Sequence, residues 1–389
     1  MAEVYSDKDS PIIKKAVDRR NILILLAVFA LMAVVYGRID FTVEPYSSCD
    51  LVYYRQMASC SPNLDPEVQR PFAYRFLGPL VAGAMPFDDP TNFYILMIIL
   101  SGCLVILFYF MLRLAGLSGD ISLTCTLFFI ANKYAFGLPM WDYFQVNDQL
   151  SMCMSIVMLI SIWRRRWSAY GIALAIGVAA REAAILMIPV MFVYLLERRL
   201  LRENWRSALL ASAPGLAGFL AIRAFMPFSG GDSLLASFMM YSYQLVSVRD
   251  LSRLLVNSFL PFSLLPLIFW RSTRDFFRGN LYLAVFFLLV FLSTAFGFDK
   301  ERLMAPASLV FYILIGSILR RLEVEKTTLI LLVVAGFAAS LHHNIGRWPL
   351  PGAVWTYILT FGSTLAVVLI ILLRKSRGSG DDYRVKLPA

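Results

Sequence analysis

Apolar runs follow one another along almost the whole of this chain, and no polar stretch between them is long enough to make a water-facing domain. Lipid offers no partner to a backbone amide or carbonyl, so a crossing must be helical and needs roughly 17–25 mostly apolar residues. Such runs are read at 21–37, 91–113, 121–138, 150–163, 168–180, 183–197, 207–226, 253–270, 281–297, 304–319, 327–341 and 354–373, about twelve in all. The short runs 168–180 and 183–197 read as two half-helices meeting at Arg181-Glu182. Hydrophobic residues make up 59% and charged ones 16%, against roughly 45–50% and about 25% in soluble domains. The expected fold class is therefore an all-α polytopic membrane protein, some of its helices short or broken. Its organisation reads as a cytoplasmic segment 1–20, one transmembrane domain 21–373 with a first outer loop at 38–90 that carries short helices, and a cytoplasmic tail 374–389.

A net charge of +10 raises the question of a nucleic-acid partner, which the placement of the charges answers. With the N-terminus inside, the cytoplasmic side collects 24 of the 36 basic residues but only 12 of the 26 acidic ones. Among them are the run Arg164-Arg165-Arg166, the group Arg198, Arg199, Arg202 and Arg206, and Arg320 and Arg321. This is the positive-inside pattern, so the excess reports topology, with both termini cytoplasmic, and no nucleic-acid partner is expected. The first apolar run follows a polar stretch and has no small-residue cleavage site, so it reads as a retained anchor. Of five cysteines, Cys49 and Cys60 share the first outer loop, a compartment that permits a disulfide between them.

Ionisable groups near lipid cost several kcal/mol each unless partnered, which makes them functional candidates. This chain concentrates them at its outer face. In Asp50-Leu51-Val52-Tyr53-Tyr54-Arg55-Gln56-Met57-Ala58, helical spacing puts Asp50, Tyr54 and Ala58 on one face, with Asp50 near the helix start. There a carboxylate serves equally as an N-cap or as a chemical group. Arg70-Pro71-Phe72-Ala73-Tyr74-Arg75 then brings two guanidinium groups and Tyr74 to the headgroup level, where arginines either snorkel or clamp a phosphate. Asn147-Asp148-Gln149 opens a further helix on the same face, and Asp148 has the same two readings.

Arg181-Glu182 lies between two apolar runs. Adjacent side chains on a helix point apart, so each is expected to have a partner elsewhere. Asp299-Lys300-Glu301-Arg302 supplies another arginine at a helix entrance. His342 and His343, the only histidines, read as structural or phosphate-contacting ahead of metal ligands, since a metal site would need carboxylates as well. The sequence has no Gly-rich phosphate loop, no His-Glu-x-x-His and no Gly-x-Ser-x-Gly. No metal or other cofactor is indicated. With no cytoplasmic segment large enough for a nucleotide-binding fold, the substrate is expected to be already in the membrane.

The order of these motifs resembles the GT-C superfamily of membrane glycosyltransferases, and within it the bacterial aminoarabinose transferase and the protein O-mannosyltransferases. Asp50, Tyr54 and Ala58 keep the spacing of the first-loop motif, although Leu51 stands where the family has a second carboxylate. Arg70-Pro71-Phe72-Ala73-Tyr74 is similar to the family's basic-Pro-Pro-Leu-Tyr segment. Asp148, the segment from Arg181 to Pro189, and Arg302 before Pro306 are similar to its later motifs, so the resemblance covers about residues 20–320.

The resemblance implies inverting transfer of a sugar from a polyprenyl-phosphate donor to a lipid, glycan or protein acceptor at the outer face. It implies Asp50 as general base, with Asp148 orienting the acceptor or the arginines. Arg70, Arg75, Arg181 and Arg302 would hold the donor phosphate, with Tyr54, Tyr74, Glu182, His342 and His343 in substrate contact. A transporter or flippase of lipid-linked glycans and a lipid-linked glycan polymerase are the alternative readings.

Overall fold

Where water is absent, a chain must satisfy its own backbone, and this one does so chiefly by helix, with no strand among its described residues, 19–40, 51–225, 234–245, 247–341 and 352–377 of a computed structural model. The helices are α1 (Arg19–Tyr36), α2 (Leu51–Ser59), α3 (Leu77–Gly83), α4 (Asp89–Leu114), α5 (Gly119–Ala131), α6 (Leu138–Trp141), α7 (Val146–Trp163), α8 (Trp167–Ala180), α9 (Met187–Glu197) and α10 (Leu201–Phe225). They continue as α11 (Leu234–Tyr241), α12 (Val248–Ser258), α13 (Leu265–Ile268), α14 (Trp270–Arg278), α15 (Leu281–Ser293), α16 (Lys300–Leu303), α17 (Ser308–Arg321), α18 (Lys326–Leu341) and α19 (Gly352–Arg377).

Several of these are long and apolar, as in a membrane-embedded protein. By length and composition α1, α4, α7 and α10 suffice to cross a bilayer, and six crossings result if each of two bent helix pairs counts once. The remaining apolar helices, such as α8 and α18, are shorter, so the described helices do not by themselves make up twelve full crossings. The run 253–270 is not one helix. α12 ends at Ser258, and the chain turns through Pro261 before α13, because proline has no N–H to continue an i to i−4 ladder.

The run 121–138 is also broken, with the pieces on either side of Asn132 bent by 67°. Asn132 causes the break. Its Oδ1 accepts from the amides of Tyr134 (3.0 Å) and Ala135 (2.8 Å), capping a new turn, Lys133–Gly137. Its Nδ2 donates to the Ser258 carbonyl (2.8 Å) and the Tyr312 hydroxyl (3.0 Å), which fixes the turn against α12 and α17. The two helices expected on either side of Arg181-Glu182 are both present, joined by Arg181 in extended conformation and a 3-10 turn, Glu182–Leu186.

The interior is aromatic. Phe108 stacks on Phe129 at 4.6 Å between centroids, Phe128 meets Phe262 at 3.9 Å, and Tyr312 lies edge-on to Phe129. These contacts join α4, α5 and α17 with the turn after α12. α7 packs against both α4 and α8, and α8 packs in turn against α10. The polar first turn of α7 is thereby buried beside the break at Arg181.

Candidate functional site

The segment between α1 and α4 is tied to this centre through backbone as well as charge. α2 packs on the turn Phe72–Tyr74, with Tyr53 stacked on Phe72 at 4.7 Å and Tyr54 edge-on to it at 5.9 Å. Asn147, in the first turn of α7, accepts from the Gly78 amide (2.9 Å) and donates to the Arg75 carbonyl (2.6 Å). A Cβ at Gly78 would lie 2.5 Å from Val146 Cγ2 and 2.6 Å from Asn147 Oδ1, so only glycine permits this approach.

Arg75 leaves that turn and donates through Nε (3.4 Å) and Nη2 (3.3 Å) to the two oxygens of Glu182, a forked pair in which both residues are largely enclosed. Arg181, whose side chain is 6% exposed, turns the other way and ion-pairs through Nη1 with Oδ1 of Asp148, 8% exposed. The adjacent charges of the 181–182 break therefore have separate partners. The extended backbone at Arg181 points them apart.

The other oxygen of Asp148, Oδ2, is buried without a hydrogen bond and lies 3.7 Å from Nε of Arg302. The same Nε is 3.7 Å from Oδ2 of Asp299, the residue that caps α16. Burial pushes the Asp299 carboxyl above the usual range, against the opposing pull of Arg302. Arg75, Arg181 and Arg302 are thus matched by Glu182, Asp148 and Asp299, three cations to three anions drawn from four separate stretches of chain. Leaving Arg181 or Asp148, the two most deeply buried, alone in this setting would cost several kcal/mol. Both oxygens of Asp148 are turned to arginines, which suits it to position those groups and not to take a proton from an incoming molecule.

Of the expected site residues, Arg75, Asp148, Arg181, Glu182 and Arg302 are brought together. Arg70 stays exposed on the loop surface. Tyr54 is 1% exposed, so its ring packs against protein instead of lining open space. Tyr74 is half-buried, with the Arg223 guanidinium 4.7 Å from its ring centre. Glu182 answers Arg75 in the place expected of a substrate contact. Cys60 carries a thiol 3.7 Å from Asp65 Oδ2, and Cys49, expected to pair with it, lies outside the described residues. Asp50, Cys49, His342 and His343 lie outside the described residues.

Sequence reasoning passed over three cations. Lys133 opens the turn that Asn132 caps, and Arg223 covers Tyr74. Lys300 is buried and donates to the carbonyls of Tyr241 (2.9 Å), Thr294 (3.1 Å) and Gly297 (3.4 Å), closing the turn before α16. The signal for Lys133 was present: a lone ammonium inside an apolar run needs a reason to be there. Among the described residues no group of three or more His, Cys, Asp or Glu side chains is placed to hold a metal ion.

No protein-family model, no curated protein and no solved structure matches this chain.

Proposed function

We propose that this protein is a GT-C-like membrane glycosyltransferase that moves a sugar from a polyprenyl-phosphate donor to a lipid, glycan or protein acceptor. In this reading it spans the plasma (inner) membrane about twelve times. Both termini are cytoplasmic and the site faces the periplasmic or extracytoplasmic side, where it contributes to cell-envelope glycan synthesis. The observation that carries the reading is the gathering of Arg181 and Arg302 beside Asp148, with Arg75 on the neighbouring Glu182, at a helix break.

A departing polyprenyl phosphate develops negative charge on its oxygens. Preorganised guanidinium groups in a water-poor site stabilise that charge more than water does. Asp148 Oδ2, 3.7 Å from Arg302 Nε, holds that guanidinium at the site where a phosphate oxygen would meet it. The acceptor hydroxyl or amine attacks the anomeric carbon as the carbon–phosphate oxygen bond breaks, and Asp50 takes the acceptor proton. Inversion follows from a single displacement. No metal is called on.

Asp50→Asn is tested beside the wild type for sugar transfer from a panel of polyprenyl-phosphate donors in liposomes. Transfer by the wild type that is lost in the variant, with donor binding and folding intact, supports the reading. The two bent helix pairs also suit a transporter or flippase of lipid-linked glycans. Substrate crossing the bilayer with its glycosidic bonds unchanged would replace the transferase by that reading, and products of many repeating units would point to a polymerase.

A further inference from the structure

Granted the transfer reaction proposed above, a donor and an acceptor must both be held at this face. The three arginines around Asp148 are each matched by a carboxylate. Beside them stand charges that are not. Lys133 and Arg253 on one side and Glu301 on the other make no side-chain hydrogen bond or ion pair among the described residues. The segments that carry them pack on one another: the turn Lys133–Gly137, α12 and α16. Lys133 is only partly exposed. Its ammonium lies 5.0 Å from the ring centre of Tyr134, and Glu301, Asp299 and Arg253 are within electrostatic reach of it.

A lysine on an open helix surface needs no ligand to explain it. Lys133 is different, because the four hydrogen bonds of Asn132 fix the break that presents it. The three unmatched side chains sum to one positive charge, and the nearest carboxylate among the matched groups, Asp299, is already shared with Arg302. We infer that Lys133 and Arg253, carried together with Glu301 where the 133–137 turn, α12 and α16 meet, form a second anion-binding subsite, so that the acceptor carries a phosphate or carboxylate group of its own. The ammonium supplies a compact charge with three donors and Arg253 a planar fork. Glu301 accepts from sugar hydroxyls beside the anion, and the Tyr134 ring offers them an apolar wall.

The test is amine acylation of Lys133 in the full-length protein in nanodiscs, read by mass spectrometry, with inorganic phosphate, glucuronate or glucose present. Phosphate or glucuronate at saturation is expected to slow acylation by about tenfold, the occupancy ratio of a ligand well above its dissociation constant. Protection by phosphate alone identifies a phosphorylated acceptor, and protection by glucuronate alone an acidic sugar. Equal acylation rates in all three conditions would overturn the inference. Arg302→Gln should keep the protection and Arg253→Gln weaken it, and loss of protection in Arg302→Gln alone would mean a single anion site. The wild-type labelling needs no variant to fold. Absence of sugar transfer would remove the role of acceptor but not the anion subsite, which the labelling reads by itself.

Discussion

Arg75 and Glu182 form a forked ion pair between residues 107 positions apart, one in the loop before α3 and the other at the break between α8 and α9. The pair fastens a loop to an interruption inside the helical body. Removing one partner leaves a largely enclosed charge alone, so Glu182→Gln is expected to cost on the order of 3 kcal/mol in stability. Arg75→Met with Glu182→Met should recover most of that loss. Unfolding of Arg75→Met, Glu182→Met and the double variant in detergent measures the coupling, and additive effects would mean that the pair contributes nothing.

Gly78 sits where backbone meets the side chain of Asn147. Gly78→Ala would force its methyl against Val146 and Asn147 and is expected to destabilise by about 1–3 kcal/mol, as overpacking does. It should also displace Arg75, whose carbonyl shares Asn147. A variant as stable and as active as the wild type would show that the loop is not held there.

Asn132→Ala removes the cap of the 133–137 turn together with two donors, to Ser258 and Tyr312. A loss of about 1–2 kcal/mol is expected from the cap alone. The 67° bend should relax, which distances between spin labels placed on α5 and α6 would register. An unchanged distance distribution would assign the bend to packing instead of to Asn132.

Asp65 accepts from the Glu67 amide (2.8 Å) and the Gln56 side chain (2.8 Å), which hold its carboxyl below the usual carboxylate range. Because the folded value is the lower one, the stabilisation is complete above the unfolded value of about 3.9 and disappears as pH falls through the folded value. A carboxyl ¹³C titration of Asp65 should have its midpoint below about 3.9. A midpoint at or above that value would show that the two donors do not hold the loop.

Sequence alone revealed the helical membrane class, because 59% hydrophobic residues in repeated runs have few other solutions. That Arg181 and Glu182 would have separate partners was legible too, although it is the extended backbone at Arg181, and not a continuous helix, that turns them apart. The bend at Asn132 was not, because an average over apolar residues gives no weight to one side-chain cap. Pro261 did carry a warning that the run 253–270 would not be continuous. Grouping Arg75 with Arg181 and Arg302 but not with Arg70 depended on the Asn147 bridge. That is a tertiary contact between residues 69 and 72 positions apart, with no local signature.

The equality of three arginines and three carboxylates around Asp148 has an electrical consequence. A unit charge displaced across a membrane potential experiences work of about 2.3 kcal/mol per 100 mV. Six side chains whose formal charges cancel carry no gating charge when they shift together. A common shift of these six along the field would therefore do no net electrical work of its own, whereas an anion held among them would bring its own charge into the field.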